Sequence, residues 1–277
     1  MLASSSYASP STSNSQSQSK LQSQPQQQQT IITAVSEHWP PFQIVDKQKV
    51  IDGLSYDIVQ AALKQAGISA DIQGHTWARS YKMAQENPNV LIFSIARNPQ
   101  REDLFKWVGE IIAIDNSLWH IKGREDIKIK TLADAKNFRL AVPRADVRHQ
   151  FLTDNGFTSP KHLDVVSSNE QTLKMLMRGR TDLIVANKLV LANLVKKLKM
   201  DASKFIQIKT VSIHMGNLYV AFSPNSDDKL VTKLAKGLQK IKDNGTYNRL
   251  IDAWYEKLGP LGAQSTTASN SAQRVSD

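Results

Sequence analysis

One polar loop of this chain holds two arginines, Arg97 and Arg101, a few residues after an apolar run over residues 90–93. The run has the composition of a buried strand, so the loop follows a strand end. A guanidinium presents paired N–H donors in a planar fork that matches the two oxygens of a carboxylate, and the contact strengthens in a cleft shielded from water. The alternative is a surface loop with two solvated arginines. The residues alone do not decide between a binding loop and a solvated surface loop. A binding loop would form a site for a small carboxylate.

Alternating strands and helices would position this loop. A β-branched run is followed by apolar residues at helical spacing that end at Gly67, which predicts a strand and then a helix. Farther along, Asp146 can cap a helix, and Ser168 with Gln171 forms a capping box. The alternation predicts an α/β protein. The predicted strands cover 31–35, 90–93, 107–114, 139–142, 183–186 and 218–222, and the predicted helices 58–66, 81–86, 146–152, 168–177, 188–197, 230–241 and 250–258.

The two ends of the chain differ from the middle in composition. Residues 1–29 are mostly Ser and Gln with a single charge, and residues 261–277 are again small and polar, so both are predicted to be disordered. Residues 30–260 form the predicted folded part. The absence of cysteine excludes disulfides and thiolate chemistry. A small-x-small pattern at residues 6–8 resembles a signal cleavage region, so we expect a periplasmic protein whose apolar signal core is absent from this sequence.

The formal net charge of +10 raises the question of nucleic-acid binding. The excess is concentrated in residues 115–217, which hold 18 Lys and Arg against 10 Asp and Glu. Much of the excess lies at predicted helix surfaces without interleaved aromatics or a recognisable nucleic-acid fold signature, as at Lys196, Lys197, Lys199 and Lys204. We therefore predict a solvated basic face and no nucleic-acid partner, with a docking face for an acidic partner as the alternative.

The order and spacing of four motifs resemble the bacterial extracellular solute-binding proteins of family 3, the receptors of polar amino-acid uptake systems. The resemblance covers residues 30–258. It implies a two-lobe periplasmic-binding-protein fold (type II, Venus flytrap) with two hinge crossings. Lobe 1 would comprise residues 30–112 and 216–260, and lobe 2 residues 113–215. The motifs are the Trp39-Pro40-Pro41-Phe42 turn, the helix start at 53–57, the loop 94–101 and the segment 180–187.

The same resemblance assigns roles to the arginine loop. Arg101 falls where the family supplies the arginine that grips the ligand's α-carboxylate. Ser94 falls where the family offers a backbone or hydroxyl contact to that carboxylate, but Ala96 stands where a hydroxyl residue is usual. One hydrogen bond would then be missing, and Arg97 is close enough in sequence to compensate.

Trp39 and Trp77 fall where the family places aromatics that sandwich the ligand's side chain. Aromatic faces grip apolar stems and attract cations. The structural alternative is that each tryptophan only packs against its neighbours. Arg79 lies close to Trp77 on the same predicted helix and would either line the cleft or carry a surface charge.

Lobe 2 departs from the family's pattern. Asn187 stands where a carboxylate usually pairs with the ligand's α-ammonium, and an amide cannot neutralise a cation. Arg144 and Arg148 replace a turn rich in Gly, Ser and Thr and could present charge to an anionic group, with Asp146 as a helix cap between them. Ser36 occupies a position that is acidic in receptors of basic amino acids. These departures argue against a Lys or Arg ligand and favour an acidic or neutral carboxylate.

The resemblance thus implies a periplasmic receptor that captures a small carboxylate-bearing ligand, an amino acid or a related compound, and delivers it to the membrane permease of an ABC transporter. We expect a monomer without metal or cofactor. A ligand-sensing domain for signalling is the first alternative. The second is a cyclohexadienyl-dehydratase-like enzyme, which would need a general acid such as Glu37, His38 or Asp146. No metal-ligand spacing, phosphate loop or nucleophile elbow occurs in the sequence.

Overall fold

The chain is described here by a computed structural model. The description covers residues 31–144 and 146–261, and of Ser212, His214 and Met215 it gives only the backbone. The predicted disordered arm 1–29 and residues 262–277 of the predicted tail lie outside the described residues.

Strands and helices alternate through most of the described chain, which confirms the predicted α/β class. The described residues also contain three short 3₁₀ helices, at Pro99–Leu104, Ala133–Asn137 and Ala202–Lys204. The strands are β1 (Ile31–Ser36), β2 (Ile44–Asp46), β3 (Lys49–Asp52), β4 (Ser69–Gly74), β5 (Val90–Ala96), β6 (Lys106–Ile121), β7 (Leu140–Pro143), β8 (Leu163–Val166), β9 (Leu183–Asn187) and β10 (Phe205–Phe222). The helices are α1 (Leu54–Ala66), α2 (Trp77–Glu86), α3 (Val147–Asp154), α4 (Asn169–Met177), α5 (Lys188–Lys197), α6 (Asp228–Asp243) and α7 (Thr246–Leu258).

The ten described strands form one sheet in the order β2-β3-β4-β1-β5-β10-β6-β9-β7-β8. Strands β1 to β5 make one end of it, with α1, α2, α6 and α7, and we call this half lobe 1. Strands β7 to β9 make the other end, with α3, α4 and α5, and we call this half lobe 2. The long antiparallel strands β6 and β10 run through both halves and pair with each other, so they are the two hinge crossings of a two-lobe fold.

Each lobe has its own apolar core. In lobe 1 the main core lies between the sheet and helices α1, α6 and α7. Helices α1 and α6 approach closely at Gly237, where a Cβ atom would come within 2.6 Å of the Ala62 carbonyl oxygen. In lobe 2 two separate apolar clusters cover the two faces of the sheet. The two cores also meet outside the hinge strands, because Leu189 of α5 packs into the lobe 1 core and Leu258 of α7 packs against a lobe 2 cluster.

The hinge strands are longer than the sequence predicted. The predicted extended segments 107–114 and 218–222 are parts of strands of 16 and 18 residues. Their polar middle sections, such as Asp115 to Ser117, interrupt the apolar alternation by which strands are recognised. The β6–β10 register shifts several times between Ile208 and Ala221. The predicted lobe boundaries at 112/113 and 215/216 fall inside these strands and remain a prediction.

Of the two helix caps predicted from the sequence, the structure forms one fully and the other in part. Asp146 caps α3, as predicted, since its carboxylate accepts a hydrogen bond from the Arg148 N–H. The Ser168 hydroxyl caps α4 through the Gln171 N–H, but the Gln171 side chain accepts from the N–H of Ser167 instead of that of Ser168. The predicted capping box is therefore only half formed. Within the described range, no helix has both the length and the apolar character that a bilayer span requires.

Candidate functional site

A cavity of about 420 Å³ lies between the lobes and against both hinge strands. Its wall combines aromatic, apolar and polar side chains, as small-molecule sites commonly do. The lining residues that matter below are Glu37, Trp39, Trp77, Ser94, Ala96, Asn98 and Arg101 from lobe 1, Asn116 and Asn217 from the hinge strands, and Asp146, Arg148, Asn169 and Asn187 from lobe 2. Seven of the nine residues predicted from the sequence are among them.

Arg101 is held at the cavity wall by the loop that follows β5. The Asn98 side chain caps the 3₁₀ helix by accepting from the Arg101 N–H at 3.1 Å, and Arg101 Nη1 donates to the Ala96 carbonyl at 3.1 Å. The guanidinium carbon lies 5.6 Å from the ring centre of Trp77 and 5.4 Å from that of Tyr81. Its Nε and Nη2 groups have no hydrogen-bond partner among the described residues. A fixed guanidinium with free donors can bind an anion in the cavity.

Arg97 has a different environment. It forms a two-point ion pair with Glu102, with Nε–Oε2 and Nη2–Oε1 distances of 2.8 and 2.5 Å. Its guanidinium also stacks on Trp107 and Tyr219. It does not line the cavity. Arg97 is therefore an exposed but paired arginine, and the structure does not support compensation for Ala96.

Ser94 lies at an irregular point of β5. Phe93 pairs with Val220 and Ile95 with Tyr219, so Ser94 is the extra residue of a β-bulge, with a φ of 60°. Bulges of this kind often re-aim a side chain next to a functional site. The Ser94 hydroxyl donates to Oε1 of Gln43 at 2.8 Å. Only its oxygen lone pairs and backbone remain for a ligand.

Both predicted aromatic residues reach the cavity. The Trp39 ring packs edge-to-face on Phe42 at 4.9 Å between ring centres, and Trp77 packs on Tyr81 at 5.8 Å. Each tryptophan is half-buried. The two interpretations from the sequence are therefore compatible, because each ring packs on a neighbour and still contributes to the cavity wall.

The predicted cationic turn of lobe 2 is neutralised within itself. Arg148 is 8% exposed and donates to both Asp146 oxygens at 2.7 Å, to the Val185 carbonyl at 3.0 Å and to Asn169 Oδ1 at 2.7 Å. Burial pushes the pKa of the Asp146 carboxyl up, but the hydrogen bonds and charge of Arg148 outweigh burial and hold that pKa below its ordinary value. Arg144 is exposed and lies outside the cavity wall. The turn therefore presents an ion pair to the cavity and no free cation.

The Asn187 amide is occupied on both sides. Its oxygen caps α5 by accepting from the N–H groups of Leu189 at 2.9 Å and Val190 at 3.3 Å. Its nitrogen donates to the Asp115 carbonyl on β6 at 3.0 Å. A carboxylate could cap the helix but could not donate to that carbonyl. This gives a structural reason for an amide at a position where the sequence comparison led us to expect an acid.

Glu37 lines the cavity, and the sequence indicated it only as one of three general-acid candidates. Its side chain is half-buried and has no hydrogen-bond or ion-pair partner in the described part of the chain. Burial raises the pKa of its carboxyl group. Ser36 is fully buried, and its hydroxyl donates to the Phe93 carbonyl at 3.0 Å. Ser36 therefore lies outside the cavity, and its lack of charge carries no information about the ligand.

Two asparagines of the hinge strands were missed by sequence reasoning. Asn116 on β6 is 3% exposed and lines the cavity, and its amide makes no hydrogen bond to another described residue. Asn217 on β10 donates from Nδ2 to Glu110 Oε2 at 2.6 Å, while its buried Oδ1 has no partner within the described ranges. Buried amides normally have partners. The hinge side of the cavity therefore has polar amide atoms without hydrogen-bond partners among the described residues.

The predicted Arg79 lies outside the main cavity, in an open depression that borders it. Glu37 and Trp77 line both spaces. The depression also contains His38, whose Nδ1 accepts from the Val45 N–H at 3.0 Å. Within the described ranges, no cluster of three or more His, Asp or Glu residues could hold a metal ion.

Comparisons with known proteins agree with this architecture. Residues 31–257 match the family described as "Bacterial extracellular solute-binding proteins, family 3". The L-cystine-binding protein TcyA of Bacillus subtilis (strain 168) is 21% identical over 218 residues, 78% of each chain. A putative ABC transporter arginine-binding protein 2 of Escherichia coli (strain K12) is 22% identical over 233 residues, 83% of this chain and 92% of that one.

A solved structure of similar fold is the second substrate-binding domain of Lactococcus lactis GlnP in an open conformation. It has 17% identity and a TM-score of 0.64, and the match covers 82% of this chain and 95% of that one. At this identity the likeness concerns the fold. It supports the two-lobe arrangement built on β6 and β10.

Proposed function

Since the chain belongs to the bacterial extracellular solute-binding proteins of family 3, we propose that it captures an amino acid or a closely related carboxylate between its lobes and delivers it to the membrane permease of an ABC transporter. The proposed location is the periplasm, and the proposed working form is a monomer. The single observation that carries the ligand class is the free guanidinium edge of Arg101 at the cavity wall.

The geometry around Arg101 supports a small carboxylate as the ligand. The Asn98 cap and the Ala96 carbonyl fix the loop, so the guanidinium is held in place before a ligand arrives. Pre-organised groups lose little conformational entropy on binding. A cavity of about 420 Å³ is in the range of sites for small molecules. Trp39 and Trp77 offer faces for the apolar part of such a ligand.

The relatives support the amino-acid class. One is named for binding L-cystine and another for binding arginine. Both ligands carry a carboxylate, for which Arg101 is the proposed partner. At about a fifth of residues in common, the relatives do not fix which amino acid this chain takes.

Closure of the lobes is the proposed response to the ligand. A ligand that contacts both walls favours the closed arrangement, because it gains contacts there that the open one lacks. The strands β6 and β10 join the lobes, and Gly216 in β10 has a φ of 89°, a conformation that glycine adopts without strain. This response requires no catalytic step, and the Asp146 carboxylate is already held by Arg148.

A thermal-shift screen of the refolded, ligand-stripped protein tests this function. The probes are the twenty common amino acids, L-cystine and a set of small carboxylates. At a hundredfold excess over its Kd, a ligand adds about 3 kcal/mol to the free energy of unfolding and moves the Tm by a few degrees. We expect such a shift for at least one amino acid, and its loss in Arg101→Ala. Absence of any shift, or an equal shift in Arg101→Ala, would refute the proposal.

A further inference from the structure

We infer that the cationic group of the ligand is bound by Glu37, so that lobe 1 alone recognises both charges of a zwitterionic ligand. The inference rests on the proposed function, because it takes Arg101 as the partner of the carboxylate. It names the substrate class more narrowly, as carboxylates that carry an amine. It also supplies from lobe 1 the negative charge that the sequence analysis found missing at Asn187.

The charges that line the cavity favour Glu37 as the partner of a cation. Two acids line the cavity, Glu37 and Asp146. Asp146 accepts two hydrogen bonds from the Arg148 guanidinium and one from the Arg148 N–H, so Arg148 neutralises the charge of Asp146. Glu37 is the only lining carboxylate without a partner in the described part of the chain. A cation that enters the cavity therefore meets one free negative charge.

Asn187, the expected partner of an ammonium group, already uses both ends of its amide. Its oxygen already accepts from two N–H groups at the start of α5, and its nitrogen donates to the Asp115 carbonyl. An ammonium approaching this amide would have to break the helix cap. Lobe 2 therefore offers a cation the Asp146 carboxylate, which Arg148 already pairs, and the Asn187 amide, whose hydrogen bonds are already made.

The surroundings of Glu37 also suit a cation. Glu37 precedes Trp39 by two residues and shares both the cavity and the outer depression with Trp77. A half-buried carboxylate without a partner is unfavourable, and a cation beside it relieves that cost. The neighbouring indole faces add a favourable interaction with the same cation. Glu37 and Arg101 do not pair with each other in the described structure, so each remains free for one end of a ligand.

The decisive variant is Glu37→Gln, which removes the charge and keeps the shape. The probes are the twenty common amino acids and L-cystine, each paired with the carboxylic acid of the same skeleton that lacks the amines. We expect the wild type to bind at least one amine-bearing probe about tenfold or more tightly than its partner, because charge-assisted hydrogen bonds are strong. Glu37→Gln should abolish that preference. The matched control is Glu86→Gln, an exposed acid of α2 outside the cavity, which should leave affinities unchanged.

The outcomes separate this inference from the proposed function. If Arg101→Ala abolishes binding but Glu37→Gln keeps the preference for the amine, the receptor function stands and the inference is wrong. Equal wild-type affinity for amine-bearing and amine-free probes also overturns the inference. If no probe binds the wild type, both the proposed function and this inference are wrong. Melting curves of Glu37→Gln show that the variant is folded, since removing a half-buried charge without a partner should leave the Tm unchanged or raise it.

Discussion

The two walls of the cavity carry similar residue types but differ in how far their hydrogen bonds are already made. On lobe 1, Arg101 makes one side-chain hydrogen bond and Glu37 makes none to another described residue. On lobe 2, Arg148 uses its Nε, Nη1 and Nη2 groups on protein acceptors, and Asn187 uses both ends of its amide. Residue type alone would make Arg148 as good an anion binder as Arg101. The contacts of each side chain decide which of them can serve a ligand.

The difference also assigns separate tasks to the lobes. Under the proposals above, lobe 1 binds the charged ends of the ligand while the cleft is still open. Lobe 2 then covers the ligand with the Asp146–Arg148 ion pair, Asn169 and apolar side chains, whose own hydrogen bonds are unchanged by closure. Such a division makes affinity sensitive to lobe 1 and stability sensitive to the ion pair of lobe 2.

The largest expected effect on binding is that of Arg101→Ala. Removing a two-point contact between guanidinium and carboxylate should weaken binding about a hundredfold or more, equivalent to about 3 kcal/mol. Calorimetric titration with the amino acid found in the screen measures it. Arg97→Ala is the matched control from the same loop, because Arg97 pairs with Glu102 and lies outside the cavity. Equal losses in the two variants would show that the loop as a whole, and not Arg101, matters.

The largest expected effect on stability lies on the other wall. Asp146→Asn leaves the buried Arg148 guanidinium without its counter-charge, so the free energy of unfolding should fall by about 2 kcal/mol in urea denaturation. Because the folded-state pKa of Asp146 lies below its ordinary value of 3.8, this stabilisation is present above that value and disappears as the pH falls through the lowered pKa. Glu170→Gln, at the surface pair with Lys197, is the control and should change stability far less.

Trp77→Ala should weaken binding about tenfold, because Trp77 both lines the cavity and stacks on Arg101. Trp77→Phe should recover part of that loss. The matched control is Trp107→Ala, which removes a similar stack on Arg97 away from the cavity. A loss of affinity in Trp107→Ala as large as that in Trp77→Ala would contradict a specific role of the cavity aromatic.

The smallest expected effect is a pH dependence of affinity. Glu37 binds a cation only when ionised, and its pKa is raised from 4.5 by burial, so affinity for an amine-bearing probe should fall a few-fold as the pH is lowered toward that raised pKa. Titration of wild type and Glu37→Gln between pH 7 and about pH 5 measures it. A wild-type slope that persists unchanged in Glu37→Gln would assign the pH dependence to other groups.

Titratable groups other than Glu37 also lie near the cavity. Comparing the wild type with Glu37→Gln separates their contribution to the pH dependence from that of Glu37. Burial and the nearby Arg79 lower the pKa of His75, which delays its protonation as the pH falls. The lowered pKa of Asp146 keeps that group ionised over the whole range. The charged and titratable groups that face Glu37 from the cavity and the outer depression are Arg101, Asp146, Arg148, His38, His75 and Arg79.

Much of the fold could be predicted from the sequence because its signals are local. Apolar spacing and the left-handed Gly67 mark the end of α1, and the apolar run over residues 90–93 marks β5. The lengths of the hinge strands were underestimated, because they depend on pairing between residues about a hundred positions apart. Helix α2 (Trp77–Glu86) agrees with the predicted short helix that carries Trp77 and Arg79 and continues over residues 81–86.

The site could be predicted only where one residue's chemistry decides its role. Arg101 was indicated by its type and loop. Glu37 was not assigned to the ligand, because only the contact of Ser36 with Phe93 shows which of the two neighbours faces the cavity. Arg148 and Asn187 were assigned to the ligand in the sequence analysis. The Val185 and Asp115 carbonyls that occupy their remaining donors lie on other strands and become visible only after folding. The Asp146 partner of Arg148 is only two residues away, so that ion pair could have been predicted.

The most direct test of the central claim is a crystal structure of the protein with the amino acid selected by the screen. We expect the ligand carboxylate at about 2.8 Å from the Arg101 guanidinium and a ligand ammonium at a similar distance from the Glu37 carboxylate, with the Asp146–Arg148 pair intact. An ammonium bound to Asn187 or to the hinge asparagines, with Glu37 facing solvent, would contradict the central claim.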